Sequence, residues 1–138
     1  MAIIQATKVS STTAQMPGVG PGQSSKVIAS TYPFTAAPAS GDVLQSDLIQ
    51  SGSVITDVTV VHSGMGASGA FEVGYGGDTD YFVVAAAAVT GGVVRMSAAT
   101  AQPLILSVND TVDVRFTGTG ASATGTVTII VTFLPRNT

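Results

Sequence analysis

Cysteine is absent from the 138 residues, so disulfides, thiolate metal sites and a cysteine nucleophile are excluded together, and the fold must stand on packing. Charge is scarce as well. Charged residues make up 9% of the chain, against about a quarter in an ordinary soluble domain, while hydrophobic residues make up 45%. The eight acids and five bases, net −3, form no run of either sign. The basic stripe of a nucleic-acid binder is therefore missing, and direct DNA or RNA binding is not expected. Histidine is reduced to His62, at the end of an apolar segment with no nucleophile motif around it. A triad would need that histidine, one of many serines and a distant aspartate, so His62 reads as a polar strand-end residue and the chain as non-enzymatic, with no cofactor.

Long apolar runs are missing too. The longest extends from Phe82 to Val89, far short of the roughly 18 residues that mark a membrane-spanning helix. The start, Met1-Ala-Ile-Ile-Gln-Ala-Thr-Lys8, lacks the basic region, apolar stretch and cleavage site of a secretory signal. The reading is a soluble intracellular product with no membrane partner. What is left for the surface is Ser, Thr, Gly, Ala and Gln, a weakly hydrated skin for a free monomer. Charge confers solubility and opposes association, so a chain this poor in it suits a protein whose faces are covered by neighbours.

Along the chain, residues 1–25 stand apart. Ser10-Ser-Thr-Thr-Ala-Gln15 and Met16-Pro-Gly-Val-Gly-Pro-Gly-Gln-Ser-Ser25 are turn and linker chemistry without a sustained period. Fixing such a backbone costs roughly 1–2 kcal/mol per residue, which Ile3, Ile4, Val9, Met16 and Val19 cannot offset alone. The segment is predicted to be an extended N-terminal arm that orders only against a partner, with those five residues as its contacts; the alternative is a tail without a role.

Residues 26–138 are predicted to form one all-β domain, an antiparallel β-sandwich of jelly-roll-like form, because short strands alternate with turn residues. Strands are expected at about 26–35, 42–49, 54–62, 69–76, 80–86, 92–97, 103–108, 111–118 and 125–134. The last two have the clearest signal: Val112, Val114 and Phe116, then Val127, Ile129, Val131 and Phe133, alternate with Thr, Asp and Arg. One face of each is thus buried and the other wet, as in antiparallel sheets. Ile130 interrupts the outer threonine row and is either a scattered apolar residue or an interface contact. The small-residue loop 118–125 exceeds a tight hairpin and reads as a flexible tip whose glycines can take positive φ. In Phe82–Val89 four consecutive alanines let a helical turn compete with the strand.

Several segments carry chemistry only weakly. Asp78-Thr-Asp80 offers two carboxylates to a hard cation, but lacks the spacing and bidentate glutamate of an EF-hand, so a capped solvent-facing turn is the plainer reading. Gly18-Val-Gly-Pro-Gly22 and Gly64-Met-Gly-Ala-Ser-Gly69 have neither the Lys-Ser/Thr nor the βαβ setting of a phosphate loop and read as turns. Tyr75 and Tyr81 flank the Asp78/Asp80 turn. There they either close the core or form, with both aspartates, a loop that binds a ligand or a partner.

Taken together, five segments carry a resemblance: Phe71-Glu-Val-Gly-Tyr-Gly-Gly-Asp-Thr-Asp-Tyr-Phe82, Gly91-Gly-Val-Val-Arg-Met96, Pro103-Leu-Ile-Leu106, Asn109-Asp-Thr-Val-Asp-Val-Arg-Phe116 and Gly125-Thr-Val-Thr-Ile-Ile-Val-Thr-Phe-Leu134. Over about residues 54–134 the chain resembles small structural proteins of tailed bacteriophages, especially head decoration or cement proteins. That resemblance implies a sandwich or jelly-roll body, commonly a homotrimer, seated on the capsid exterior where major capsid protein subunits meet, with arms reaching neighbours. It implies synthesis in the host cytoplasm and a place in the virion. The chain departs from the picture in having no charged cluster to match a capsid surface. A tail, neck or fibre component, or a carbohydrate-binding module using Tyr75 and Tyr81, are the alternatives.

Overall fold

The alternation of apolar residues with threonine and other polar residues is what the chain folds on. In the computed structural model, which describes residues 25–98 and 102–135, the strands are β1 (Lys26–Phe34), β2 (Val43–Gln45), β3 (Val54–His62), β4 (Ala70–Tyr75), β5 (Asp78–Ala87), β6 (Gly92–Arg95), β7 (Leu104–Ile105), β8 (Asp113–Gly118) and β9 (Gly125–Leu134). They form two antiparallel sheets. Sheet I has the order β1-β9-β3-β6, with β7 pairing β3 at the end of β3 that β6 leaves free, and sheet II has the order β2-β8-β4-β5. The all-β sandwich is thus as expected. Its connections are mostly crossings between sheets: β4 and β5 form a hydrogen-bonded hairpin, whereas β8 and β9, adjacent in sequence, lie in opposite layers.

The core lies between the inner faces. Sheet I contributes Ile55, Val58 and Val60 from β3 and Val127, Ile129 and Val131 from β9; sheet II contributes Phe71, Val73, Phe82, Val83, Val114 and Phe116. Loop residues Ile49, Met65, Ala88, Leu106 and Val112 close its ends. Each large side chain fully buried is worth about 1.5–3 kcal/mol, which is how a chain without cross-links holds together.

Several details correct the sequence reading. The alanine-rich segment is strand through Ala87, because the backbone of β5 is paired to β4 and the helix preference of alanine is a weak local term. Strands β2 and β7 are shorter than expected; beyond Gln45 the pairing is reduced to a hydrogen bond from the Ser46 amide to the Val112 carbonyl at 2.8 Å and an isolated bridge, Ile49 to Asp110. The 118–125 loop is no free tip. The amide of Gly120 donates to the Pro38 carbonyl at 2.8 Å, those of Ala121 and Ser122 donate to the Met65 carbonyl at 2.6 and 3.0 Å, and Gly120 is buried. Its glycines answer close approach and not positive φ: a Cβ on Gly118 would overlap the Ser68 carbonyl oxygen, and one on Gly125 would overlap the Ser63 hydroxyl and the Phe34 ring. In β3, Ile55 and Val58 both point inward though three residues apart. A bulge at Thr56 absorbs the odd residue and keeps the pleat in phase.

Candidate interaction surfaces

The β4–β5 hairpin gathers the four residues singled out in the loop. Tyr75 ends β4, Asp78 opens β5 opposite it, and Asp80 and Tyr81 follow. The two tyrosine rings meet edge to face at 5.6 Å, Tyr81 meets Phe82 in the same way at 5.0 Å, and both tyrosines are half-buried against the core. The Tyr81 hydroxyl donates to the Gln102 carbonyl at 3.2 Å. Both rings thus have packing partners within the domain. The Asp80 carboxyl is raised above its usual range, first by a hydrogen bond shared with Asp78, then by desolvation and the negative charges of Asp78 and Glu72.

Acids that look scattered in sequence are brought together by topology. Glu72, Asp78, Asp80, Asp110 and Asp113 all lie on or beside neighbouring strands β4, β5 and β8 of sheet II. Asp110 accepts from the Gly76 amide at 3.1 Å, and Glu72 pairs with Arg115 at 3.1 Å. Asp113 accepts from the Thr111 hydroxyl at 2.6 Å; its carboxyl is nonetheless raised, mainly by burial, with the charge of Asp110 adding to the effect. Among the described residues no group of three or more His, Asp or Glu side chains is placed to hold a metal ion. His62 is buried, its Nδ1 3.1 Å from the Ser63 carbonyl oxygen and its ring edge-on to Phe71 at 5.3 Å, neither of which is a nucleophile or an acid.

The outer face of sheet I was only half legible in sequence. Register places Val27, Thr132 and Asp57 in one cross-strand row, Ala29, Ile130, Thr59 and Arg95 in the next, and Thr31, Thr128, Val61 and Val93 in a third. The interruption at Ile130 was the one signal of this face. Its neighbours Val27, Val61 and Val93 come from distant strands that only the pairing brings alongside. Asp57 and Arg95 are paired at 3.3 Å, so the face carries no net charge. The arm residues Ile3, Ile4, Val9, Met16 and Val19 lie outside the described residues.

No protein-family model matches the chain, and no curated protein does. Chains of three phage capsid structures are among those of similar fold. A chain of the cyanophage Pam1 capsid asymmetric unit matches at 20% identity over 91% of this chain and 96% of that one, with a TM-score of 0.68. A chain of the capsid of Ralstonia phage GP4 matches at 21% identity over 82% and 86%, TM-score 0.61. A chain of the acid-stable capsid structure of Helicobacter pylori bacteriophage KHP30 matches at 16% identity over 81% and 94%, TM-score 0.55. At such identities the likeness is one of fold. In each case it spans most of both chains, so those chains are of this one's size class.

Proposed function

We propose that the protein is a non-enzymatic structural component of a phage virion that decorates the capsid exterior and cements it. The observation that carries this reading is the end-to-end likeness of fold to chains within three phage capsid structures. Size adds to it, because a match that nearly exhausts a small chain fits an accessory subunit. Strand orders β1-β9-β3-β6 and β2-β8-β4-β5, with most successive strands crossing between sheets, support a jelly-roll reading of the sandwich.

The mechanism is clamping. A subunit that binds the assembled shell, and not its separated parts, stabilises the shell by mass action, and a homotrimer multiplies weak contacts with the major capsid protein through effective concentration. The arm contacts Ile3, Ile4, Val9, Met16 and Val19 would extend that grip, and the Tyr75, Asp78, Asp80 and Tyr81 end of sheet II offers a second, acidic contact. Particles made with and without this protein test the proposal by heat challenge. The expected result is a lower disruption temperature without it, restored by adding purified protein, with many copies bound per particle. Unchanged particle stability together with no binding to capsids would overturn it; a few copies at one vertex would move the protein to a neck or tail.

A further inference from the structure

We infer that the outer face of sheet I is the surface through which copies of this chain pack on one another. Single exposed apolar residues are ordinary, but here they share one pleated face. Val27 and Val93 are 62% and 60% exposed, and Val61, Ile130 and Leu134 lie between or beside them with threonine in the remaining places. Four strands about 4.8 Å apart, with the longer ones rising about 30 Å, give the face a footprint on the order of 500 Å². Covered by a neighbouring copy that gives up an equal area, the face removes about 1,000 Å² in all from water, the lower bound for a specific interface.

Charge selects the occupant. Copies meeting through sheet II would bring the carboxylates of Asp80 and Asp113 toward those of the next copy, with Arg115 already taken by Glu72, at a Coulombic cost. The outer face of sheet I has no such conflict, since the charges in its cross-strand rows, Asp57 and Arg95, are already matched within one copy. A basic partner would favour sheet II for the same reason. A second copy of this chain is thus the partner that sheet I suits and sheet II excludes. Outward hydroxyls such as Thr31 and Thr128, 2.9 Å apart, give such a contact hydrogen-bonding groups among the valines.

Light scattering on the purified full-length chain provides the test, and it needs no capsid, so its failure is separate from failure to bind particles. The expected result is a mass of two or more chains for the wild type, falling to the single-chain 13.7 kDa in a Val27→Lys, Val93→Lys double variant. Both side chains already reach solvent, so the variant should keep the circular dichroism and thermal midpoint of a folded monomer. Ile130→Thr, which restores the threonine row, should weaken association measurably with less change to the face. Val43→Lys and Val84→Lys, exposed residues of sheet II, should leave the mass unchanged. A wild-type monomer at high micromolar concentration overturns the inference, and so does an oligomer indifferent to the sheet I variants. A monomer whose Val27→Lys, Val93→Lys variant loses capsid binding also overturns it, and gives the face to a shell subunit.

Discussion

Sheet I and sheet II differ on both of their faces. Inward, the buried rings Phe71, Phe82 and Phe116 all belong to sheet II, whereas the buried apolar residues of sheet I are the branched aliphatics Ile55, Val58, Val60, Val127, Ile129 and Val131, its rings Tyr32, Phe34 and Phe133 being only partly buried. Outward, sheet I shows threonine, valine and one matched ion pair, while sheet II gathers most of the carboxylates. The scarcity of charge in the composition is therefore unevenly shared. One layer is kept wet by its acids, and the other is left free to be covered, so the same alternating pattern yields two surfaces with different destinations.

The largest test of this division lies in the core. Removing a fully buried ring from the sheet II side opens a void in the middle of the core. Phe71→Ala or Phe82→Ala should cost about 3–5 kcal/mol, and Ile129→Val on the sheet I side about 0.5–1.5 kcal/mol. Denaturant unfolding with an unchanged slope would report both. Equal losses from the two layers would mean that the rings are not the keystone of the packing.

Much of this sandwich is legible in the sequence, and the reasons it is partly hidden are physical. Strands β8 and β9 announce themselves because apolar residues recur at every second, inward position, and those valines, Ile129 and Phe116 are the ones the structure buries. Which strand lies beside which is set by pairings between residues often far apart in the chain, such as Ala29 with Ile130 and Val61 with Val93, and no local pattern encodes them. For that reason the acids look scattered and the sheet I face invisible. Thr56 illustrates the second limit: a bulge breaks period two without any glycine or proline to mark it. The β4–β5 turn is readable as a turn, and its tyrosines as either core or ligand contacts; their edge-to-face packing is set by the hairpin pairing, which no local pattern encodes. The expected arm contacts Ile3, Ile4, Val9, Met16 and Val19 lie outside the described residues.

The outward ion pairs sharpen the contrast at a smaller scale. Each sheet has one, but Glu72 on sheet II is only 13% exposed whereas Asp57 on sheet I is 40% exposed. Arg115→Ala leaves a half-buried carboxylate unpaired beside Asp80 and should cost about 1–2 kcal/mol. Arg95→Ala should cost less than about 0.5 kcal/mol, as exposed pairs do. Thermal melts of both variants at low and high salt separate them, and equal losses would remove the electrostatic distinction between the layers.

The smallest expected effect is on pH dependence, and it belongs to sheet II. Burial raises the Asp113 carboxyl above its ordinary value of 3.8, so the folded chain holds that proton more tightly than the unfolded chain. Between the ordinary and the raised value the native state binds more protons, and stability falls as pH rises through that window. The ionised Asp113 is then a net cost at neutral pH, relieved on mild acidification. Asp113→Asn keeps an oxygen to accept from Thr111 but never ionises. Its melting temperature should exceed that of the wild type at pH 7, and the two should converge as pH falls toward 4. Parallel curves across that range would mean that Thr111 and Gln45, which favour the ionised form, balance burial, and that Asp113 rests there without strain.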